Sequence, residues 1–186
     1  NVFLRVAQID KFREDGITLA RNTMAAKFSN TIQLIRRSLH DNPSLREKEK
    51  IRQAMVTLDT GIENVLQAES IESVLGIEGN CAQAYFSVFD NLITSKQTSL
   101  TFSVRTKHPP LDEVNALLSF VYTLLTNEYA SALETVGLDS YIGFCHALRS
   151  GRSSLACDLV EEARCIAERF VLTLINLQIV DTDDFD

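Results

Sequence analysis

The chain has 186 residues, 45% hydrophobic and 23% charged, with only 3 Pro and 7 Gly, a composition that excludes disorder and collagen and fits one globular domain. A chain of this length buries about 70% of its unfolded surface, so it needs no disulfide or metal for stability, and any metal would serve chemistry. The formal charge of -7 argues against a nucleic-acid partner until its distribution is read: residues 1–60 hold 11 Lys and Arg against 7 Asp and Glu, the remainder 7 against 18, so a basic first third precedes an acidic body.

Apolar residues recur in steps of three and four at Ile17, Ala20, Met24, Phe28, Ile32, Ile35 and Leu39, which predicts one long helix. Asn42-Pro43 reads as an N-cap and first-turn proline opening a second helix through Ile51, Met55, Leu58, Ile62 and Val65, with Gly61 as a possible bend. A third helix runs from about Glu78 to Ile93, with Ala82, Tyr85, Phe86 and Phe89 on its apolar face. Thr94 to Pro110 is polar, β-branched and ends in His108-Pro109-Pro110, which predicts a loop with room to move. Asp112 caps a fourth helix carrying Val114, Leu117, Leu118, Val121, Leu124 and Leu125, which ends before Gly137. Leu138 to Ser153 is irregular, and Ser153 or Ser154 is expected to cap a fifth helix with Leu155, Leu159, Ala163, Ile166, Phe170, Leu174 and Leu177 inside.

Five long helices and no period-2 strand make the fold all-α: a helical domain over residues 1–180 and an acidic tail over 181–186, expected to fray. No apolar run reaches the ~18 residues of a membrane span. Cys81, Cys145, Cys157 and Cys165 form no C-x-x-C pair and follow no signal peptide, which reads as buried, reduced thiols in the cytoplasm. The chain begins at Asn1 without a Met, which reads as a segment of a longer protein.

Two features point to chemistry. Glu78 shares the apolar face of its helix with Ala82, Tyr85, Phe86 and Phe89, so its carboxylate needs a cation, a metal or a retained proton, unless it is a first-turn acid favoured by the helix dipole and reached by water. On the last helix Asp158 and Glu161 stand three apart, roughly 5 to 6 Å between side chains. They either hold a hard divalent cation, with His146 just upstream, or form a solvated acidic edge with Glu162. No phosphate-binding glycine loop and no G-x-S-x-G motif occurs. Cys145 and His146 are sequence neighbours whose side chains diverge, which argues against a Cys-His nucleophile, and the cysteine spacings match no zinc motif.

The run Gly76-Ile77-Glu78-Gly79 with Ala82, Ala84, Tyr85 and Phe86 is followed by Arg105, Pro109-Pro110, Asp112, Asn115 and Leu117-Leu118-Ser119-Phe120. Then come Leu138-Asp139-Ser140-Tyr141-Ile142-Gly143-Phe144, His146, Gly151-Arg152, Ser154-Leu155-Ala156 and Asp158-Leu159-Val160-Glu161-Glu162. With Ala20-Arg21, Lys27 and Asn30, this ordered set resembles the CRISPR-associated integrase, the endonuclease of spacer acquisition, over about Arg5 to Ile179. The resemblance implies the helical catalytic lobe of a longer protein whose amino-terminal β-sandwich is absent from this chain. It implies that Glu78, His146 and Glu161 hold Mg²⁺ or Mn²⁺, with Asp158 as an accessory acid. It further implies phosphoryl transfer joining spacer DNA to a repeat array, and it makes an acidic site compatible with DNA once a metal is bound. A coordinating His146 must be neutral, so activity should fall as the ring protonates.

Double-stranded DNA is expected over Arg21, Lys27, Arg36 and Arg37, with Arg105, Lys107, Arg149 and Arg152 reaching in from loops. Expected partners are a second copy of the full-length protein and a small ferredoxin-like adaptation protein in the prokaryotic cytoplasm, with no membrane. Two other readings stand beside this one: a lobe that keeps the fold without activity, and a helical protein-interaction module. If the metal alone compensates the acids, Glu78→Gln and Glu161→Gln should leave the metal-free fold as stable as before or slightly more so.

Overall fold

A computed structural model describes residues 2–45, 47–95, 98–107, 109–147 and 149–185. Its helices are α1 (Val2–Asp41), α2 (Lys48–Leu66), α3 (Ile71–Phe86), α4 (Glu113–Thr135) and α5 (Ser154–Asn176), with single 3₁₀ turns at Phe89–Leu92 and Thr182–Phe185. No strand occurs among the described residues. His108 of the expected loop and Asp186 of the expected tail lie outside them.

α1 runs through the middle of the molecule, packing against α2, α3 and α5, while α4 covers α5. Its stripe of Ala20, Met24, Phe28, Ile32 and Ile35 is buried, as the period predicts. The helix nevertheless starts at Val2, 15 residues ahead of the expected apolar stripe at Ile17. That early half is held by the Phe12 ring, 5.5 Å from that of Phe144, and by polar contacts which carry no hydrophobic period. Buried Gln8 donates to the carbonyls of Asp139 (2.9 Å) and Ile142 (3.0 Å) and accepts from the Asp139 N–H (2.9 Å). Arg5 pairs with Asp139 at 2.7 Å.

Three boundaries differ from expectation for local reasons. Asn42-Pro43 forms a turn, and α2 starts only at Lys48, after Glu47 in the left-handed region (φ 54°). α3 starts at Ile71, seven residues before the expected start, because the Ser70 hydroxyl accepts the Ser73 N–H at 3.1 Å as its N-cap. Glu78 therefore lies in mid-helix rather than in a first turn, and the helix dipole does not account for it. At its other end α3 stops at Phe86, and Phe89 and Leu92 belong to a 3₁₀ turn. Asp112 caps α4 as expected, accepting the Asn115 N–H at 2.7 Å. α2 continues unbroken through Gly61, where a Cβ would collide with the Cys81 sulfur, so the glycine permits the close approach of α2 and α3.

The connection between Leu92 and α4 is anchored at Leu100 and Phe102. Leu100 and Phe102 are buried, the Phe102 N–H donates to Asp90 Oδ1 (2.8 Å), and the Phe102 ring packs on Phe86 and Phe89. The tail expected to fray forms the Thr182–Phe185 turn, with Val180 and Phe185 packed against the core.

α5 turns its expected face inward only in part: Leu155 and Ala163 are buried as expected, and the rest of the inner surface lies about one residue further on. Ile166, Phe170 and Leu177 are more than half exposed, whereas Ala156, Val160, Ala167, Val171 and Ile175 are buried. The same inward surface buries Asp158, Glu161 and Glu168. These carboxylates displace apolar residues from the inner stripe, so hydrophobicity alone marks that face only in part.

Candidate functional site

The inner face of α5 opens on a cleft of about 580 Å³ bounded by α1, α3, α4 and the two irregular connections. Glu78, His146 and Glu161 all line it, as do Lys27, Arg105 and Lys107. Lys27, 14% exposed at its side chain, projects from α1 between the two acids, donating to Glu78 Oε1 (2.5 Å) and Glu161 Oε2 (2.6 Å). Burial opposes the Lys27 ammonium, but the Glu161 and Glu78 carboxylates outweigh it and raise the group above its ordinary value. Glu161, 5% exposed, also has Arg164 Nε at 3.0 Å. Burial raises the Glu161 carboxyl, yet Lys27 and Arg164 bring it down to about 2.

Asp158 lies behind this wall with no exposed side-chain surface. Its oxygens accept the backbone N–H groups of Phe144 (2.7 Å), Cys145 (2.9 Å) and His146 (2.9 Å), and they meet His146 Nδ1 at 2.6 Å. It folds the connection around one carboxylate and fixes the imidazole, leaving Nε2 as the free ring nitrogen. These contacts engage both oxygens of Asp158 within the fold, directly behind His146. Gly143 permits the wrap: a Cβ there would sit 2.5 Å from Asp158 Oδ2 and 2.9 Å from the Ser154 carbonyl carbon.

The far end of the cleft holds a group the sequence reading overlooked. Glu168, 3% exposed, accepts from the Tyr122 hydroxyl at 2.6 Å, and its other oxygen is buried without a hydrogen-bond partner. Burial pushes its carboxyl up, against the pull of Tyr122, Lys27 and Arg164. The guanidinium groups of Arg164 and Arg105 lie 4.5 and 5.5 Å from the Tyr122 ring centre. Arg105 is held by Asn115 Oδ1 (2.8 Å) and Ser119 Oγ (3.1 Å). Glu161, Arg164 and Glu168 at offsets of three and seven share one helical face, and that spacing is the signal that could have found them.

The remaining predicted basic residues stand outside the cleft wall. Arg21 donates to the Ala68 carbonyl (2.6 Å) and Arg152 to the Ala147 carbonyl, while Arg36, Arg37 and Arg149 are exposed. The thiols are free; burial raises Cys81 to about 11 and Cys145 to about 12, which keeps both protonated at neutral pH.

Two carboxylates and an imidazole are a suitable donor set for Mg²⁺ or Mn²⁺. Among the described residues, however, no three His, Cys, Asp or Glu side chains are close enough to form a metal cage, and an ammonium bridges the two acids. The fit is therefore one of donor chemistry.

Fold and cleft define an all-helical domain with cation- and anion-binding groups side by side. The family is specific: this chain belongs to the one described as CRISPR associated protein Cas1, whose profile matches residues 1–186. The CRISPR-associated endonuclease Cas1 of Leptospira interrogans is 42% identical over 96% of this chain and 69% of its own length. The CRISPR-associated endonuclease Cas1 1 of Chlorobaculum tepidum is 44% identical over 100% of this chain and 55% of its own. A casposase bound to integration product superposes with a TM-score of 0.83 at 26% identity, over 100% of this chain and 50% of that one. A partial Cas6-RT-Cas1–Cas2 complex gives 0.82 at 25% identity, over 99% of this chain and 52% of that one. This chain thus spans about half to two thirds of these proteins. No helix of the described residues is long and apolar enough to cross a membrane.

Proposed function

We propose that this chain is the catalytic lobe of a metal-dependent DNA endonuclease and integrase that joins spacer DNA to a CRISPR repeat array by phosphoryl transfer. The observation that carries the reading is the convergence of Glu78 from α3, His146 from the 138–153 connection and Glu161 from α5 on one cleft with Arg105, Lys107 and Arg164. Relatives named endonucleases and a neighbour bound to an integration product support the reaction class.

Glu78, Glu161 and the free nitrogen of His146 would hold Mg²⁺ or Mn²⁺, which supplies charge neutralisation at a phosphodiester and polarises its phosphorus centre. Asp158 orients His146 for that task, and the ring must be neutral to donate. Arg105, Lys107 and Arg164 bring positive charge to the phosphate; Arg105, fixed by Asn115 and Ser119, is pre-oriented for it. Exposed Arg36, Arg37 and Arg149, with Arg21 and Arg152, extend the positive surface for duplex DNA. The partners under this reading are a second copy of the full-length protein and a small ferredoxin-like adaptation protein, the latter supported by the neighbour found in a complex with Cas2. The setting is the prokaryotic cytoplasm.

Strand transfer by the full-length protein with Mg²⁺ or Mn²⁺ tests this. Glu78→Gln and Glu161→Gln should each reduce joining by at least about a hundredfold while DNA is still retained at low salt. A Glu78→Gln protein that joins strands at the wild-type rate would move the chemistry elsewhere. Wild-type protein that retains DNA but joins none would be an inactive lobe, and one that does neither would be an interaction module.

A further inference from the structure

Among the described residues, Lys27 is the one cation that touches both acids assigned to the metal. Its ammonium lies 2.5 Å from Glu78 Oε1 and 2.6 Å from Glu161 Oε2, largely shielded from water. Cations bound to the same carboxylate oxygens compete, because each oxygen's lone pairs and charge are shared among them. We infer that Lys27 is a tethered counter-ion occupying the metal's carboxylates, and that divalent-ion binding is an exchange in which the ammonium gives up Glu78 and Glu161. The inference rests on the metal reading above and adds an internal competitor to it.

Three observations support the exchange. The ammonium is the group shared by both carboxylates, and a divalent ion in its place would attract each of them with twice its charge. Arg164 stays beside Glu161 at 3.0 Å and Asp158 keeps His146 in place, so removing Lys27 leaves the other donors supported. Lys27 reaches the acids through a flexible four-carbon stem, so withdrawal requires no movement of α1. Lys27 also joins α1 to α3 and α5, so the metal-free protein carries its own clamp, and metal affinity is reduced by the strength of that clamp.

The test is Mn²⁺ binding, followed by calorimetry and by the electron paramagnetic resonance of free Mn²⁺, for full-length wild type, Lys27→Met and Glu78→Gln at one pH and salt concentration. Lys27→Met should bind Mn²⁺ at least about tenfold more tightly than wild type, equivalent to about 1.4 kcal/mol of competition removed. Its thermal midpoint should be lower than wild type without Mn²⁺ and rise more on addition. A Lys27→Met protein that folds only with Mn²⁺ would support the exchange; one that Mn²⁺ does not rescue would overturn it. Equal or weaker Mn²⁺ binding by Lys27→Met, with Glu78→Gln still abolishing it, overturns the exchange and leaves the metal reading intact. Wild-type binding matched by Glu78→Gln overturns the metal reading itself, and with it the exchange.

Discussion

Glu161 and Glu168 sit on one face of α5, two turns apart and both buried, yet the cleft treats them oppositely. Lys27 and Arg164 hold Glu161 down to about 2, whereas Glu168, whose hydrogen bond comes from the neutral Tyr122 hydroxyl, is pushed up. Burial alone would raise both. The difference comes from the partners: an ammonium 2.6 Å away outweighs desolvation, and a phenol does not. One end of the cleft is therefore ionic and tied to the fold, and the other is drawn toward neutrality.

The largest effect should come from breaking the ionic end. Compensation of the acids by metal alone predicts that Glu161→Gln relieves their repulsion and leaves stability unchanged or improved; Lys27 between Glu78 and Glu161 reverses that sign. Glu161→Gln should cost the metal-free protein about 3 kcal/mol, because Lys27 and Arg164 lose a buried partner. Urea denaturation at neutral pH checks this, and a loss below about 1 kcal/mol would show the clamp to be idle. Acid should reach the same contact in wild type. The folded value of Glu161 is depressed below its ordinary 4.5, so its contribution is fully present above that value and is lost as pH falls from about 4.5 toward about 2. Glu161→Gln should lack that part of the acid sensitivity.

A smaller effect should follow at Gly143, where the cleft is shaped through the backbone. Gly143→Ala places a methyl group against Asp158 Oδ2 and Ser154 and should cost about 1 to 3 kcal/mol. Faster hydrogen exchange should be concentrated at the amides of Phe144, Cys145 and His146, which Asp158 accepts. Exchange that rises evenly over all five helices would mean that the glycine serves general packing instead.

The same contrast shows what could be read before the structure. The all-α class and the stripe from Ala20 to Ile35 were legible because apolar periodicity is a local signal, and so was the Asp112 cap. Family resemblance, rather than periodicity, grouped Glu78, His146 and Glu161. The first half of α1 was illegible because Gln8 and Arg5 hold it through contacts with residues 139 to 142, far away in sequence. The inner face of α5 was legible only at Leu155 and Ala163, because Asp158, Glu161 and Glu168 stand where apolar residues would mark the rest of it. The bridge from Lys27 to Glu78 and Glu161 was illegible, since nothing in the sequence shows that its ammonium reaches acids on two other helices.

The smallest effect belongs to the neutral end, and its sign separates the two acids. Glutamine has the shape of a protonated glutamate and keeps an oxygen to accept from Tyr122 at the position where Glu168 now accepts at 2.6 Å. A carboxyl whose folded value is raised binds its proton more tightly folded than unfolded, so it destabilises the fold as pH climbs above its ordinary 4.5. Glu168→Gln removes that penalty, and at pH 7 the variant should match wild type or gain up to about 1 kcal/mol. Below about pH 4.5 both forms are neutral, and the gain should vanish. Paired urea curves at pH 7 and pH 4 give both values. A loss above about 2 kcal/mol at pH 7 would mean that Glu168 is held ionised by Lys27 and Arg164, and that the cleft is ionic along its whole length.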